Sequence, residues 1–177
     1  MTFRLEGRSL GCERDDRWLF ADLDLAVGAG EMLRVEGPNG SGKTTLLKIL
    51  SGQLGDHAGE LYWCDRPMRR ERAAFLANLL YLGHAPGVKR ALSPLENLAW
   101  YQALDGRRGH ERECMAALEE LGLLGYEDVP VAQLSAGQQR RVALARMVLT
   151  LRPLWVLDEP FTAIDRQGVA ALEARLR

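Results

Sequence analysis

The sequence predicts an α/β fold with an N-terminal antiparallel β layer and an inserted helical subdomain. Apolar and polar residues alternate over 3–6 and again over 22–27, which is typical of an antiparallel sheet with one exposed face. Residues 37–44 read GPNGSGKT, a glycine-rich segment between a predicted strand and a predicted helix. Residues 93–150 predict helices with no strand among them, so we expect a helical subdomain over about 91–150.

The glycine-rich segment fits the phosphate-binding pattern G-x-x-x-x-G-K-[ST], whose backbone N–H groups converge on a triphosphate. Gly37, Gly40 and Gly42 permit positive φ and a close approach of the backbone. Lys43 is suited to contact the β- and γ-phosphates, and the Thr44 hydroxyl is suited to hold Mg²⁺. The predicted nucleotide-binding residues are Gly37, Pro38, Asn39, Gly40, Ser41, Gly42, Lys43, Thr44 and Thr45.

Local signals place the elements on either side of this loop. Met32, Leu33 and Val35 predict the strand before it, and the apolar face of residues 46–50 predicts the helix after it, which ends at Gly52. The next predicted elements are a strand over 59–64, a helix over 69–77 and a short buried strand over 79–82.

Serines mark two helix starts in the predicted helical subdomain. Residues 93–96, SPLE, form a capping box with Pro at the first helical position, and this helix should reach about Leu104. A second helix is predicted over 111–121. Residues 134–139 read LSAGQQ, where Ser135 is placed to cap a third helix. A Ser and a Gly at a helix N-terminus can also bind an anion.

The run LWVL at 154–157 is apolar on both faces and predicts a central parallel strand. It leads into Asp158 and Glu159, at the strand end where open α/β sheets bind ligands. Asp158 is suited to hold Mg²⁺, usually through water. Glu159 is suited to orient or deprotonate an attacking water.

The composition limits the possible functions. The 177 residues predict a single domain, and a net charge of −1 provides no overall field for nucleic acid or an anionic membrane. Cys12, Cys64 and Cys114 are widely separated, which indicates reduced thiols rather than disulfides or a metal site. No apolar run approaches the length of a membrane span, so any membrane role requires a partner.

Three motifs, GPNGSGKT, LSAGQ and LWVLDEP, occur in one order and together resemble the nucleotide-binding domain of ABC ATPases. LSAGQ is similar to that family's LSGGQ signature, and residues 161–165, FTAID, resemble the loop that touches the opposite protomer. The resemblance implies a P-loop NTPase fold of the ABC ATPase type, ATP hydrolysis with Mg²⁺, and a head-to-tail homodimer that drives an integral membrane transporter subunit. In that dimer the residues facing the other protomer's ATP would be Ser135, Ala136, Gly137 and Gln138.

A narrower resemblance lies in residues 84–101, HAPGVKRALSPLENLAWY, which are similar to the ATP-binding subunits of cytochrome c maturation systems, often called haem exporters. It implies haem delivery for c-type cytochromes, at the cytoplasmic face of the bacterial inner membrane. His84 stands where most ABC domains carry Gln, so we expect it to hydrogen-bond near Mg²⁺ and the attacking water. No direct haem binding and no nucleic-acid binding are expected. Val88, Leu92 and Trp100 are candidates for a docking patch or for the core.

The chain departs from the family pattern in two places. ABC domains usually stack adenine on an aromatic residue, but the corresponding residues 12–14 include none. Arg14 can stack through its guanidinium plane, and Trp18 is the other candidate, although we expect it in the core. The chain ends one predicted helix after Asp165, so we expect the family's last strands and switch histidine to be missing, with a cost in stability and turnover.

Three other functions fit the same motifs. The chain would then be the ATP-binding subunit of an ABC transporter for another substrate, a soluble ABC-type nucleotide switch acting on DNA or ribosomes, or a nucleotide-binding module without turnover. The near-neutral charge, the single short domain and the lack of coiled-coil heptads stand against the soluble switch.

Overall fold

The computed structural model describes residues 3–107 and 109–160, and its elements follow the predicted order except that one predicted strand is absent and one short strand, over Arg66–Pro67, was not predicted. The strands are β1 (Arg4–Arg14), β2 (Arg17–Gly28), β3 (Ala58–Trp63), β4 (Arg66–Pro67), β5 (Leu79–Leu82) and β6 (Leu154–Leu157). The helices are α1 (Lys43–Leu50), α2 (Arg72–Asn78), α3 (Pro94–Leu104), α4 (Glu111–Glu120) and α5 (Ala136–Leu149). Two compact units are present, and the boundaries between them fall inside β5 and β6. The described part of the first unit is residues 3–81 and 152–156, and that of the second is residues 82–107, 109–151 and 157–160.

A four-stranded sheet in the order β2-β1-β3-β4 forms the N-terminal layer of the first unit. All of its pairs are antiparallel, which confirms the layer predicted from residue alternation. Its buried face packs in one core with the apolar face of α1, and the cluster includes Leu5, Leu10, Leu46, Ile49 and Leu50. The α1 helix therefore starts from a fixed position on the sheet, and the loop that precedes it is anchored at that end.

The strand predicted before the glycine-rich loop is absent, and that prediction was wrong. Residues 31–38 pair with no strand among the described residues, and Met32 and Leu33 are 69% and 47% exposed. An apolar segment becomes a strand only where a neighbouring strand satisfies its backbone N–H and C=O groups. The side-chain pattern reports a preference for burial and says nothing about whether that neighbour is present.

The second unit is built on α3, α4 and α5, the three helices that the sequence predicts. The capping box at the start of α3 is formed in both directions: Glu96 N–H donates to Ser93 Oγ at 3.2 Å, and Ser93 N–H donates to Glu96 Oε2 at 2.8 Å. Fully buried Leu98, Leu118 and Leu144 place one face of each helix in a common core. Residues 161–165, predicted to contact an opposite protomer, lie outside the described residues.

The strands β5 and β6 pair in a separate two-stranded sheet. Residues 79–82 and 154–157 therefore form strands, as predicted from their apolar runs. Just past the end of β6, Asp158 N–H donates to the carbonyl of Leu82, the last residue of β5, at 2.8 Å. The loops that begin at Gly83 and Asp158 consequently start side by side.

Candidate functional site

The glycine-rich loop leads directly into α1 in the first unit. Gly40 and Gly42 adopt φ of 81° and 90°, in the left-handed region that a side chain would strain, as predicted. Gly42 is the N-cap of α1 and supplies no side-chain acceptor, so the positive end of the helix faces the loop. Lys43 Nζ donates to the carbonyls of Gly37 and Pro38 at 2.7 and 2.9 Å. The ammonium group is thereby folded over the loop.

The other predicted nucleotide-binding residues lie on this loop or in the first turn of α1. Asn39 and Thr44 are exposed, whereas Ser41 and Thr45 are half-buried. Ser41 N–H donates to the Pro38 carbonyl at 3.3 Å and closes a turn in the loop. Glycine backbone, a helix N-terminus and one ammonium group together are suited to bind a phosphate chain.

Phe20 of β2 lies beside this loop, and Trp18 on the same strand corrects a prediction. A Cβ atom on Gly42 would lie 3.2 Å from Phe20 Cδ1, so the Phe20 ring packs against the start of α1. Trp18, two residues earlier on β2, lies over Gly11, where an added Cβ would be 2.9 Å from Trp18 Cζ3. Trp18 is 54% exposed, so the expectation that it belongs to the core was wrong. With no Cβ at Gly11, the Trp18 ring can approach the backbone of β1 closely while it keeps much of its surface in solvent.

The predicted carboxylates follow β6 in the second unit. Asp158 is only 3% exposed, whereas Glu159 is exposed and adopts a left-handed φ of 49°. His84 Nδ1 lies 3.7 Å from Glu159 Oε2, so two side chains far apart in the sequence are brought together. At that separation a single water can bridge the imidazole and the carboxylate.

Sequence analysis missed Arg140, the residue that holds these two loops. Its guanidinium group donates to carbonyls on both sides: Nη1 to Gly83 at 2.7 Å, and Nη2 to Glu159 at 2.9 Å. A signal was present, because Arg140 shares helical spacing with the apolar Ala143, Leu144 and Met147, and therefore lies on the buried face of α5. An arginine on an apolar helix face indicates a buried hydrogen-bonding role.

The signature residues occupy the exposed N-terminus of α5. Ser135 is the predicted N-cap, and its Oγ accepts from Gln138 N–H at 3.2 Å, while Ser135 N–H donates to Gln138 Oε1 at 2.9 Å. Ser135 and Ala136 are exposed, and Gly137 is half-buried. The end of a fourteen-residue helix is thus presented to solvent at Ser135 and Ala136, which both have small side chains.

The donors predicted for Mg²⁺ are of the right chemical type. The Thr44 hydroxyl and the Asp158 carboxylate are hard oxygen donors, and Asp158 is held in a buried position. In the part of the chain that the structure describes, no three His, Cys, Asp or Glu side chains gather around a possible metal position. Mg²⁺ that arrives with a nucleotide needs only one or two protein ligands, because phosphates and waters supply the others.

Comparison with known proteins gives consistent matches. The ABC transporter family matches residues 20–162. Over 176 residues the chain is 53% identical to the cytochrome c biogenesis ATP-binding export protein CcmA of Pseudomonas putida, covering 99% of this chain and 83% of the relative. It is 56% identical over 172 residues to CcmA 1 of Salmonella typhimurium, covering 97% and 82%. A solved ABC transporter ATP-binding protein from Pyrococcus furiosus superimposes with a TM-score of 0.84 at 30% identity, covering 98% of this chain and 84% of that protein.

Among the described residues, no helix is both long enough and apolar enough to cross a bilayer.

Proposed function

The chain belongs to the ABC transporter family of ATP-binding domains, and from this we propose that it is the energy-coupling ATPase subunit of an export complex for cytochrome c biogenesis. The observation that carries the proposal is identity of 53–56% to export proteins of that name over nearly the whole chain. The phosphate loop closed by Lys43 and the paired His84 and Glu159 supply the chemistry that such a subunit needs.

In this proposal the residues divide into binding and hydrolytic groups. Residues 37–45 bind the phosphates of ATP through backbone N–H groups and the Lys43 ammonium. Glu159 orients and deprotonates the attacking water, because its carboxylate is exposed and its backbone is fixed. His84 hydrogen-bonds that water beside Glu159, as a neutral imidazole can donate or accept.

We assign Mg²⁺ to Thr44 and Asp158. When bound, the ion would neutralise charge on the phosphate oxygens. Asp158 fits the assignment because it is a buried carboxylate and its backbone N–H is anchored to Leu82 at 2.8 Å, which fixes the backbone from which the side chain projects.

The signature residues imply a head-to-tail homodimer. The N-terminus of α5 carries a partial positive charge and exposes Ser135 and Ala136, so it is suited to face the γ-phosphate of ATP bound to a second copy. An anion between two helix N-termini favours the closed dimer while the triphosphate is intact. Hydrolysis then releases the dimer, and this cycle drives the partner.

The partner in this proposal is an integral membrane subunit, and the chain acts at the cytoplasmic face of the inner membrane. The candidate docking surface is the segment 86–92 together with Trp100, where Val88, Leu92 and Trp100 are each half-buried. Asn97 holds this segment from inside: Lys89 N–H donates to Asn97 Oδ1 at 2.7 Å, and Asn97 Nδ2 donates to the Lys89 carbonyl at 3.0 Å. We take the delivered group to be haem, which the partner binds and this chain does not.

A complementation experiment tests the proposal. In a strain that lacks the gene, the intact wild-type protein should restore covalently bound haem in c-type cytochromes, and Lys43→Ala should not. A tagged wild-type protein should also retain a membrane subunit after detergent extraction. Normal c-type cytochromes in the deletion strain, combined with measurable ATP hydrolysis by the purified protein, would assign the chain to a transporter of another substrate.

A further inference from the structure

Arg140 joins two loops through four backbone carbonyls. Its Nη1 donates to Gly83 and His84 at 2.7 and 3.3 Å, and its Nη2 donates to Asp158 and Glu159 at 3.1 and 2.9 Å. The residue is only 4% exposed, and all four acceptors lie in the second unit with it. One side chain therefore fixes the backbone at both members of the His84–Glu159 pair.

The chemistry of the guanidinium group suits this arrangement. Its planar fork presents donors in fixed directions, so it can hold two loops at a set separation. Hydrogen bonds from a charged donor are roughly twice as strong as neutral ones. Burial lowers the pKa of Arg140, while the nearby carboxylates of Asp158 and Glu159 favour its charged form. The group still carries its charge at neutral pH.

Glu159 has a particular need for this support. Its φ of 49° lies in the left-handed region, which is unfavourable for a residue with a side chain. The hydrogen bond from Arg140 reaches the carbonyl of Glu159 itself, and a second bond reaches the preceding carbonyl. The unusual backbone conformation that aims the Glu159 carboxylate is thus held from the interior of the unit.

We propose that Arg140 is the positioning residue of the hydrolytic site, and that it fixes Glu159 and His84 to the same helix whose N-terminus carries Ser135. This inference rests on the proposed function, because it assumes that Glu159 and His84 act on ATP. Arg140 lies five residues after Ser135 on a continuous helix, about 7.5 Å along the axis. Because α5 is continuous, a contact made at its N-terminus acts on the same rigid helix that hydrogen-bonds, through Arg140, to both hydrolytic loops.

The first test is kinetic and uses the intact protein with Arg140→Gln. A loss of alignment at a reacting centre costs up to about a hundredfold in rate, so we expect kcat to fall by about ten- to a hundredfold. The KM for ATP should change by less than about twofold, because the hydrogen bonds of Arg140 go to the loops that begin at Gly83 and Asp158, which position groups for hydrolysis. Arg140→Lys should recover part of kcat, since it keeps the charge but loses the fork.

Arg141→Gln is the matched control. Arg141 is the next residue of the same helix and also donates to loop carbonyls, those of Leu121 and Gly122, at 3.4 Å each. That loop carries no candidate catalytic residue. We expect this variant to keep kcat within about twofold of wild type, because the reacting groups stay aligned.

A second readout does not depend on catalysis. The amide of Asp158 is hydrogen-bonded to Leu82 and serves as a reporter of the loop junction in hydrogen exchange. Arg140→Gln should speed exchange at Asp158 by about tenfold or more, while the amide of Thr150, bonded to Arg146 at the other end of α5, should keep its rate. If Arg140→Gln fails to fold, both kcat and hydrogen exchange at Asp158 are measured on Arg140→Lys instead.

The outcomes separate this inference from the proposed function. Wild-type protein that binds a membrane subunit but never hydrolyses ATP would contradict the proposed function, and exchange at Asp158 would still decide whether Arg140 holds the loops. Unchanged kcat and unchanged exchange in Arg140→Gln would overturn the inference. A raised KM with unchanged kcat would also overturn it, because it would place Arg140 in substrate binding.

Discussion

The phosphate loop, residues 37–44, and the loop that begins at Asp158, which we call the carboxylate loop, are held in two different ways. The phosphate loop is closed from within, because Lys43 donates to Gly37 and Pro38, only a few residues before it. The carboxylate loop is held from a distance, because Arg140 reaches Glu159 from α5 and also reaches Gly83, which is further away in the sequence. One loop depends on its own residues, and the other depends on the packing of an entire helical unit.

The difference bears on how each loop can respond to a partner. A locally closed loop keeps its shape whenever its own residues are present, so its affinity for phosphate is largely independent of distant contacts. A loop held by a distant helix moves when that helix moves. The segment 84–92, which carries the candidate docking residue Val88, begins at the carbonyls that Arg140 binds. Coupling to a membrane subunit is therefore expected to act on hydrolysis more than on binding.

The largest expected effect comes from removing the proposed general base, Glu159, from the carboxylate loop. Glu159→Gln should lower kcat by about 10²–10⁴-fold, because an amide can hydrogen-bond water but cannot accept its proton. The dissociation constant of ATP should stay close to that of wild type, which equilibrium binding with a fluorescent ATP analogue would show. Glu119→Gln, the same change at an exposed site on α4, is the control and should hydrolyse ATP normally. Full turnover by Glu159→Gln would remove this residue from the role.

Lys43→Ala tests the phosphate loop, which is closed by its own residues. Hydrogen bonds from a charged group are worth about 1.5–3 kcal/mol each, so the dissociation constant of ATP should rise by about ten- to a hundredfold. The loop also loses the bonds that close it onto Gly37 and Pro38. Lys48→Ala removes the same charge from an exposed site on the same helix and should bind ATP normally. Affinity for adenosine should be equal in both variants, since the lost contacts are to phosphate.

The sequence predicted the locally determined features and missed the distant ones. The positive φ of Gly40 and Gly42 and the N-caps at Ser93 and Ser135 follow from neighbouring residues, so short motifs suffice to predict them. The strand at 32–35 depends on a neighbouring strand, which no local pattern reports. The Arg140 contacts span up to 57 residues, so spacing along the chain could indicate burial of Arg140 but not its partners.

Val88→Asp tests whether the segment 84–92, which Arg140 also holds, contacts a membrane partner. Burying a valine side chain is worth about 1.5 kcal/mol or more, so replacing it with a carboxylate should lower the recovery of the membrane subunit by about tenfold. ATP affinity should not change, because the phosphate loop is closed by its own residues. Ala116→Asp, on an exposed site of α4, introduces the same charge elsewhere and should leave recovery intact. Equal recovery of both variants would count against this docking surface.

The smallest expected effect concerns the base of the nucleotide, where Trp18 and Arg14 are the candidate stacking residues. Trp18 directly precedes Leu19 and Phe20, and both of these side chains pack against Gly42 at the end of the phosphate loop. Arg14 pairs across the strand with Arg17, in the turn between β1 and β2. The geometry therefore favours Trp18. Its ring is half exposed, so we expect the lower end of the stacking range, about 1 kcal/mol, or about a fivefold loss of ATP affinity in Trp18→Ala. Trp18→Phe should retain most of the affinity, and Arg14→Ala should retain all of it. The reverse ranking of Trp18→Ala and Arg14→Ala in equilibrium binding would assign the stacking contact to Arg14.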